Sequence, residues 1–333
     1  MHSWVQIPLS PPKFKLIERL NIVKNKNVLI TGGTGSLGHA LTEKFTQYGA
    51  NITIYSRDEK KQYDMKKIFP NCTYVLGDIK DQYSIRDAVR GQDIIIHGAS
   101  LKYVNISELQ PAEYVNSNVV GTMNLVNAVL DEKTVERCVG ISTDKACMPV
   151  NTYGLTKALL EKVMLQANLR QGENGKTIFN VARYGNVIGT RGSVIPFWKE
   201  RRESGLSLPI TNPNMTRFFF TIDEAVDLIE YCLKSDAGLI ISKAMKGVTL
   251  QKLAEVMKGD CVVEIVGERP GEKHDEMLLS ADEIMKSHEE NGMLVFDPNK
   301  KPSENEKYPD GYSSKAATEI TEDELKIILK DYL

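Results

Sequence analysis

Along the first half of the chain, short runs rich in β-branched residues alternate with stretches whose apolar positions recur at helical spacing. The runs Asn27–Thr31, Asn51–Ser56, Thr73–Leu76, Asp93–His97, Arg137–Ser142 and Thr177–Arg183 predict strands. Leu37–Tyr48, Ser84–Arg90, Pro111–Leu130 and Val150–Arg170 have the periodicity and boundaries of helices. Parallel strands need long crossover connections, and helical crossovers cover both faces of the sheet they join. The alternation therefore predicts an α/β domain with a doubly wound parallel sheet over residues 25–185. Beyond Tyr184 the rhythm breaks down and Gly, Pro and aromatic residues become common, so residues 186–333 are expected to form a smaller, substrate-covering C-terminal region. Within it the polar, proline-containing segment Asp297–Pro309 reads as a surface loop. Residues 1–24 stand apart: Pro8, Pro11 and Pro12 precede a short stripe of Phe14, Leu16, Ile17 and Leu20, which reads as a surface arm.

Composition narrows the partner. With 42 basic and 44 acidic residues, and no cationic cluster dense enough to track a phosphate backbone, no nucleic-acid partner is expected. No apolar run reaches the roughly 18 to 20 residues of a membrane span, and the start of the chain has no signal-like apolar region, so no membrane is expected either. Cys72, Cys138, Cys147, Cys232 and Cys261 form no C-x-x-C pair and read as the reduced thiols of a cytoplasmic protein. The histidines His2, His39, His97, His274 and His288 show no metal-ligand spacing, so no metal is expected. A small molecule is the natural partner.

Directly after the first strand stands Thr31-Gly32-Gly33-Thr34-Gly35-Ser36-Leu37-Gly38, which opens the first helix. Glycines here permit a tight turn and close approach of backbone to a pyrophosphate, while the helix N-terminus attracts negative charge. Gly32, Thr34, Gly35, Ser36 and Leu37 are therefore candidate dinucleotide contacts. At the end of the second strand, where NAD enzymes present a carboxylate to the ribose, stand Ser56 and Arg57, followed by Asp58, Lys60 and Lys61. Ser56, Arg57 and Lys60 suit a 2′-phosphate, which favours NADP; alternatively Arg57 and Lys60 are a solvated helix start with Asp58 as its N-cap. Asp78, with Ile79, follows the third strand, where a carboxylate can accept from an adenine amino group or cap a helix.

Tyr153 and Lys157 lie four apart, on one face of a helix. A lysine beside a tyrosine lowers the phenol's pKa and can hold a nicotinamide ribose, so both are candidates for catalysis and cofactor binding. Eight positions before Tyr153 ends the run Ile141-Ser-Thr143-Asp144-Lys145. Eliminating water from a sugar requires removal of a carbon-bound proton and protonation of a leaving hydroxyl, and Asp144 and Lys145 supply groups for both. The alternative is an ion pair or N-cap at a strand end. Cys147 has no histidine near it in sequence and reads as a packing thiol.

The glycine turn, Thr143 and the Tyr153/Lys157 pair together resemble the extended short-chain dehydrogenase/reductase superfamily, whose sheet is the Rossmann type. Within it the chain resembles the inverting UDP-N-acetylglucosamine 4,6-dehydratases of polysaccharide and flagellin-sugar biosynthesis. Beyond the glycine turn the matching blocks are Tyr55-Ser-Arg-Asp58, His97-Gly-Ala-Ser-Leu-Lys-Tyr-Val104, Ser142-Thr-Asp-Lys-Ala146, Ala182-Arg-Tyr-Gly-Asn-Val187, Arg191-Gly-Ser-Val-Ile-Pro196, Met215-Thr-Arg-Phe218 and Arg269-Pro-Gly-Glu-Lys273. The family usually has Ala where Gly98 and Ser100 stand, and some members carry Met at the position of Tyr153.

The resemblance implies NADP as cofactor and UDP-N-acetylglucosamine as substrate. It implies oxidation at carbon 4 with Tyr153 taking the hydroxyl proton, then removal of the carbon-5 proton by Lys145, its pKa lowered by burial. Asp144, protonated, would protonate the carbon-6 hydroxyl, and the product would be UDP-2-acetamido-2,6-dideoxy-β-L-arabino-hexos-4-ulose. Lysine rather than glutamate after the aspartate favours the inverting class. Lys102, Asn186, Val194, Arg217, Arg269 and Glu272 are the candidate substrate contacts; the alternatives are a brace within the cap for Asn186, Arg217 and Arg269, a solvated surface lysine for Lys102 and support of the Arg269 loop for Glu272. The helices Pro111–Leu130 and Val150–Arg170 suit a homo-oligomer. The competing readings are a UDP-N-acetylhexosamine 4-epimerase, further epimerisation at carbon 5 or carbon 3, and a non-catalytic NADP-binding sensor.

Overall fold

The computed structural model describes residues 22–172, 175–190 and 192–333, so the arm expected over 1–24 falls outside the described residues up to residue 21, as does Arg191. Six strands, β1 (Asn27–Thr31), β2 (Asn51–Ser56), β3 (Thr73–Leu76), β4 (Ile94–His97), β5 (Arg137–Thr143) and β6 (Ile178–Tyr184), pair in parallel in the order β6-β5-β4-β1-β2-β3. Chain order reverses between β1 and β4, which opens a crevice at the carboxyl ends of those strands. The alternation of side chains across a strand explains the layers. Leu29 and Ile95 point to one face, where Leu125, Val126, Leu160 and Met164 pack on them. Val28, Ile30, Ile94 and Ile96 point to the other, against Leu41, Phe45, Leu228 and Ile229.

The sheet does not end at residue 185, contrary to the expected division. Ile240–Lys243 pairs in parallel with β6, and Met293–Phe296 and Ser287–Glu290 follow antiparallel, giving nine strands. These later strands bury Ile240, Ile241, Leu294 and Val295 in the same two layers, so the chain leaves the sheet after β6 and returns to it. The rest of the C-terminal region has its own core of Ile195, Trp198, Leu208, Leu253, Met257 and Leu325.

Helix boundaries have local causes. Asp81 caps Gln82–Val89 by accepting from Tyr83 and Ser84 N–H groups, and Asn151 caps Thr152–Arg170 by accepting from Gly154 N–H. The helix expected over Pro111–Leu130 is interrupted by a π-turn at Val115–Val120. Glu59–Ile68, which has no apolar stripe and buries only Gln62 and Met65, is a further helix, capped by Asp58. Among the described residues no helix is long and apolar enough to cross a membrane.

Candidate active site

A cavity of about 800 Å³ fills the crevice at the carboxyl edge of β1, β4 and β5. Gly32, Thr34, Gly35, Ser36 and Leu37 form one wall. Gly32 has φ +69°, and a Cβ there would sit 2.9 Å from the backbone of Gly98 and Ala99, so the turn hugs the next strand end as only glycine allows. His97 locks that junction: its ring nitrogens are each 2.9 Å from a threonine hydroxyl, Thr31 and Thr122, and burial, with the charge of Lys157, depresses its pKa to about 3.

At the end of β2, Ser56, Arg57, Asp58 and Lys61 line the cavity. Lys60 does not: successive helical residues point about 100° apart, and Lys60 turns outward to pair with Asp64. Lys61 takes the place expected for it, 2.7 Å from Asp58. Asp78 and Ile79 line the far end, with Asp78 3.9 Å from the Arg57 guanidinium. Asp78 is not a helix cap; Asp81 has that role.

The reacting groups enter from β5 and the helix behind it. Thr143 ends β5 in extended geometry, and Asp144–Ala146 make one tight helical turn. Asp144 is fully buried; it accepts from the Thr143 hydroxyl at 3.0 Å, and Lys145 Nζ lies 3.1 Å away. Lys145 Nζ also meets Glu276 Oε1, at 2.9 Å. Burial raises the Asp144 pKa against the pull of Lys145. Burial also works to lower that of Lys145, but Asp144 and Glu276 outweigh it and hold the ammonium above its ordinary range. The expected depression of Lys145 is thus overturned: two carboxyls flank it.

Tyr153 and Lys157 line the same cavity. Burial pushes the Tyr153 phenol up to about 12, opposed by the charge of Lys145 and a hydrogen bond with Thr143. The cation acting on the phenol is therefore Lys145, in place of Lys157. Lys157, 3.4 Å from Ser100 Oγ, is itself brought down to about 8 by burial.

Of the residues expected at the substrate, Lys102 and Asn186 line the cavity, and Asn186 Oδ1 has no partner among the described residues. The others are elsewhere. Val194 starts the helix Val194–Glu203 and packs on the C-terminal core. Arg217 donates to the carbonyls of Thr216 and His274, at 2.7 and 3.2 Å, bracing the cap. Arg269 is exposed, and its N–H donates to Glu272 at 3.3 Å, so Glu272 orders that loop. The loop docks on the site through Asn151, whose amide donates to Gly271 O at 2.7 Å.

Glu276 escaped the sequence reading. The block Arg269–Lys273 stops just short of it, and a carboxylate at the mouth of the apolar strand Met277–Leu279 was the signal. A second buried network lies behind β5 and β6: Arg183 donates to Glu161 at 2.8 and 2.6 Å, to Glu283 at 2.8 and 3.0 Å and to Leu278 O at 2.7 Å.

A family model described as polysaccharide biosynthesis protein matches residues 28–298. The chain belongs to this family of extended short-chain dehydrogenases/reductases. Within the family, a Campylobacter jejuni protein named UDP-N-acetylglucosamine 4,6-dehydratase (inverting) is 39% identical over 279 residues, 82% of this chain and 83% of its own. A Rickettsia conorii protein named UDP-glucose 4-epimerase is 40% identical over 275 residues, 79% and 80% of the two chains. The solved structure of Pen from Bacillus thuringiensis superposes with a TM-score of 0.87 at 30% identity, over 93% of this chain and 98% of its own.

Proposed function

We propose that the protein is a cytoplasmic, NADP-dependent UDP-N-acetylglucosamine 4,6-dehydratase that inverts carbon 5. The observation that carries this reading is the buried Asp144–Lys145 pair on the cavity wall beside Tyr153. An oxidoreductase needs only the phenol; an acid and an amine beside it suit elimination. The Campylobacter jejuni relative named as such a dehydratase, at 39% identity, agrees with it.

The residues present fit the cofactor. The glycine turn leaves room for a pyrophosphate at the helix N-terminus, Arg57 and Lys61 offer cations to a 2′-phosphate, Asp78 and Ile79 face the adenine end, and Lys157 and Tyr153 suit the nicotinamide ribose. NADP, when bound, supplies the hydride acceptor for carbon 4 and the hydride donor for carbon 6.

The chain's own residues do the rest. Tyr153 takes the proton of the carbon-4 hydroxyl once its own has left, an ionisation that Lys145 eases against burial. Asp144, kept neutral by burial, protonates the departing carbon-6 hydroxyl. Lys145 removes the carbon-5 proton, but it starts as an ammonium and must first pass a proton to a neighbour. Reprotonation of carbon 5 from the opposite face inverts that centre. Exposed Met123, Leu155 and Leu159 on the helices Gly121–Glu132 and Thr152–Arg170 offer a face for a second copy, so we read the enzyme as a homo-oligomer.

Proton NMR of the protein with UDP-N-acetylglucosamine in deuterated water tests this. A new carbon-6 methyl singlet, deuterated at carbon 5 and with couplings of the L-arabino sugar, is expected. The relatives named UDP-glucose 4-epimerase, of equal identity, favour a second reading as a UDP-N-acetylhexosamine 4-epimerase. Retained hydroxymethyl signals with an altered carbon 4 would establish that reading instead.

A further inference from the structure

Glu276 has no task in the chemistry above, yet it belongs to the same cluster. It arrives from the C-terminal region, where its N–H donates to Ser314 Oγ at 2.9 Å, and its Oε1 lies 2.9 Å from Lys145 Nζ. Lys145 Nζ is also 3.1 Å from Asp144 Oδ1. Both carboxyls are buried, and Asp144 Oδ2 and Glu276 Oε2 have no partner among the described residues. A Cβ at residue 185 would come within 2.9 Å of Asp144 Oδ2, so Gly185 keeps the space beside that oxygen open.

Charge balance decides which carboxyl is ionised. The surroundings of each carboxyl differ, and the one with less cationic support in a low dielectric holds its proton more tightly. The groups facing the cluster are Thr143 and Tyr153 on the Asp144 side, Arg217 from the strand Thr216–Phe220 on the Glu276 side, and Lys273 from the docked loop, which acts on both carboxyls and more strongly on Glu276. Both cations favour an ionised Glu276. Asp144 is left neutral.

We propose that Glu276 is the proton partner of Lys145: as a carboxylate it claims the ammonium and leaves Asp144 protonated, and it accepts the ammonium's proton when Lys145 acts as base. In that step an N–H bond of Lys145 breaks and an O–H bond forms on Glu276 Oε1. One proton crosses the 2.9 Å contact, and the ion pair becomes a neutral amine and a neutral acid. The amine is then free for the carbon-5 proton while Asp144 retains its own for the leaving hydroxyl. Glu276 is absent from the cavity wall and acts through Lys145, so it is a positioning residue. The catalytic half of this proposal rests on the dehydratase reading; the protonation half does not.

Two measurements test it. Carbon-13 NMR of aspartate-labelled protein, with the Asp144 carboxyl identified by its loss in Asp144→Asn, should give a neutral carboxyl at pH 7 that becomes ionised in Glu276→Gln, where Lys145 turns to Asp144. An Asp144 carboxylate at pH 7 in the unaltered protein overturns the proposal, whatever the substrate. In rapid mixing of the NADP-loaded enzyme with UDP-N-acetylglucosamine, Glu276→Gln should still give the near-ultraviolet absorbance of reduced cofactor but slow product formation by about 10²-fold or more. The alkaline limb of its pH–rate profile should move to lower pH, and Glu276→Asp should restore part of the rate. Equal loss of both steps with an unmoved profile means a structural role only and also overturns the proposal. If the unaltered enzyme makes no dehydrated product, the dehydratase reading falls and the carboxyl titration alone judges Glu276. If Glu276→Gln does not fold, Glu276→Asp and the titration of the unaltered protein carry the test.

Discussion

Two buried clusters, each a cation held between two acidic residues, lie at the ends of β5 and β6. In the Arg183 cluster every carboxylate oxygen accepts a hydrogen bond: Glu161 also takes the Ser142 hydroxyl at 2.6 Å, and Glu283 takes Ser280 N–H at 3.1 Å. In the Lys145 cluster two oxygens are left over, on Asp144 and Glu276. A fork of five fixed donors can satisfy two carboxylates at once, whereas a single ammonium on a flexible stem cannot. The satisfied cluster fixes the positions of β6, the helix Thr152–Arg170 and the segment that carries Glu276. The unsatisfied one keeps acid–base capacity. A fully bonded network rigidifies, and spare lone pairs beside a cavity are the mark of a site.

Substitutions should separate the two roles, with the largest effect at Lys145. Lys145→Met should lower the rate of dehydration by about 10²–10⁴-fold. Its stability should change less than that of an Arg183-cluster variant, because Arg217 and Lys273 still face Glu276 and, on the protonation proposed above, Asp144 carries no charge. Turnover intact in Lys145→Met would defeat the mechanism. Conversely, Glu161→Gln removes one of the two carboxylates on Arg183 and leaves Glu283 alone with the buried guanidinium, which should cost about 2–3 kcal/mol in urea unfolding. A loss under about 1 kcal/mol would show that the two clusters do not differ as argued.

This contrast also explains what could be read from the chain. The six parallel strands were legible because Val28, Leu29 and Ile30, like Ile94, Ile95 and Ile96, are apolar on both faces, as a covered parallel sheet demands. The strands at Ile240–Lys243, Ser287–Glu290 and Met293–Phe296 were not, being four residues each in a region without alternation. The π-turn at Val115–Val120 was invisible to a 3.6-residue period. In the site, residues that follow a strand end in sequence reach the cavity: the glycine turn, Ser56, Asp78, Thr143 and Asp144. Val194, Arg217, Arg269 and Glu272, which do not line the cavity, lie in the C-terminal region, where the regular alternation of strand and helix has broken down. The pKa of Lys145 was misread in part for a related reason: Asp144 beside it in sequence is joined by Glu276, a partner brought in by tertiary folding, and together they outweigh burial.

His97 gives a milder, pH-dependent version of the same comparison. Its folded pKa, about 3, lies below the ordinary 6.5, so in acid the unfolded chain binds a proton that the folded one refuses. Stability from this group is complete above pH 6.5 and falls as pH drops, by about 1.4 kcal/mol per unit until the folded pKa is reached. His97→Gln, which keeps a polar group between Thr31 and Thr122, should flatten the loss of stability between pH 6.5 and 5. An unchanged slope would place the acid sensitivity in the buried carboxylates instead.

The smallest expected effect lies at the cofactor end, where a pair of neighbouring lysines differs as the two clusters do, one turned to the cavity and one spent elsewhere. Arg57 and Lys61 line the cavity, while Lys60 is exposed and paired with Asp64. If the cavity takes NADP by its 2′-phosphate, Arg57→Ala should weaken NADP by about tenfold or more through loss of a charge-assisted contact while leaving NAD nearly unaffected. Lys61→Ala should do the same less strongly, since Asp58 already engages that ammonium at 2.7 Å. Lys60→Ala removes only an exposed pair within one helix and should change neither affinity nor stability by more than about 0.5 kcal/mol. Calorimetric titration of the three variants with both cofactors orders them. Equal weakening of NAD and NADP by Arg57→Ala would mean that the guanidinium serves the adenosine through its contact with Asp78, and that the preference for the phosphorylated cofactor has another source.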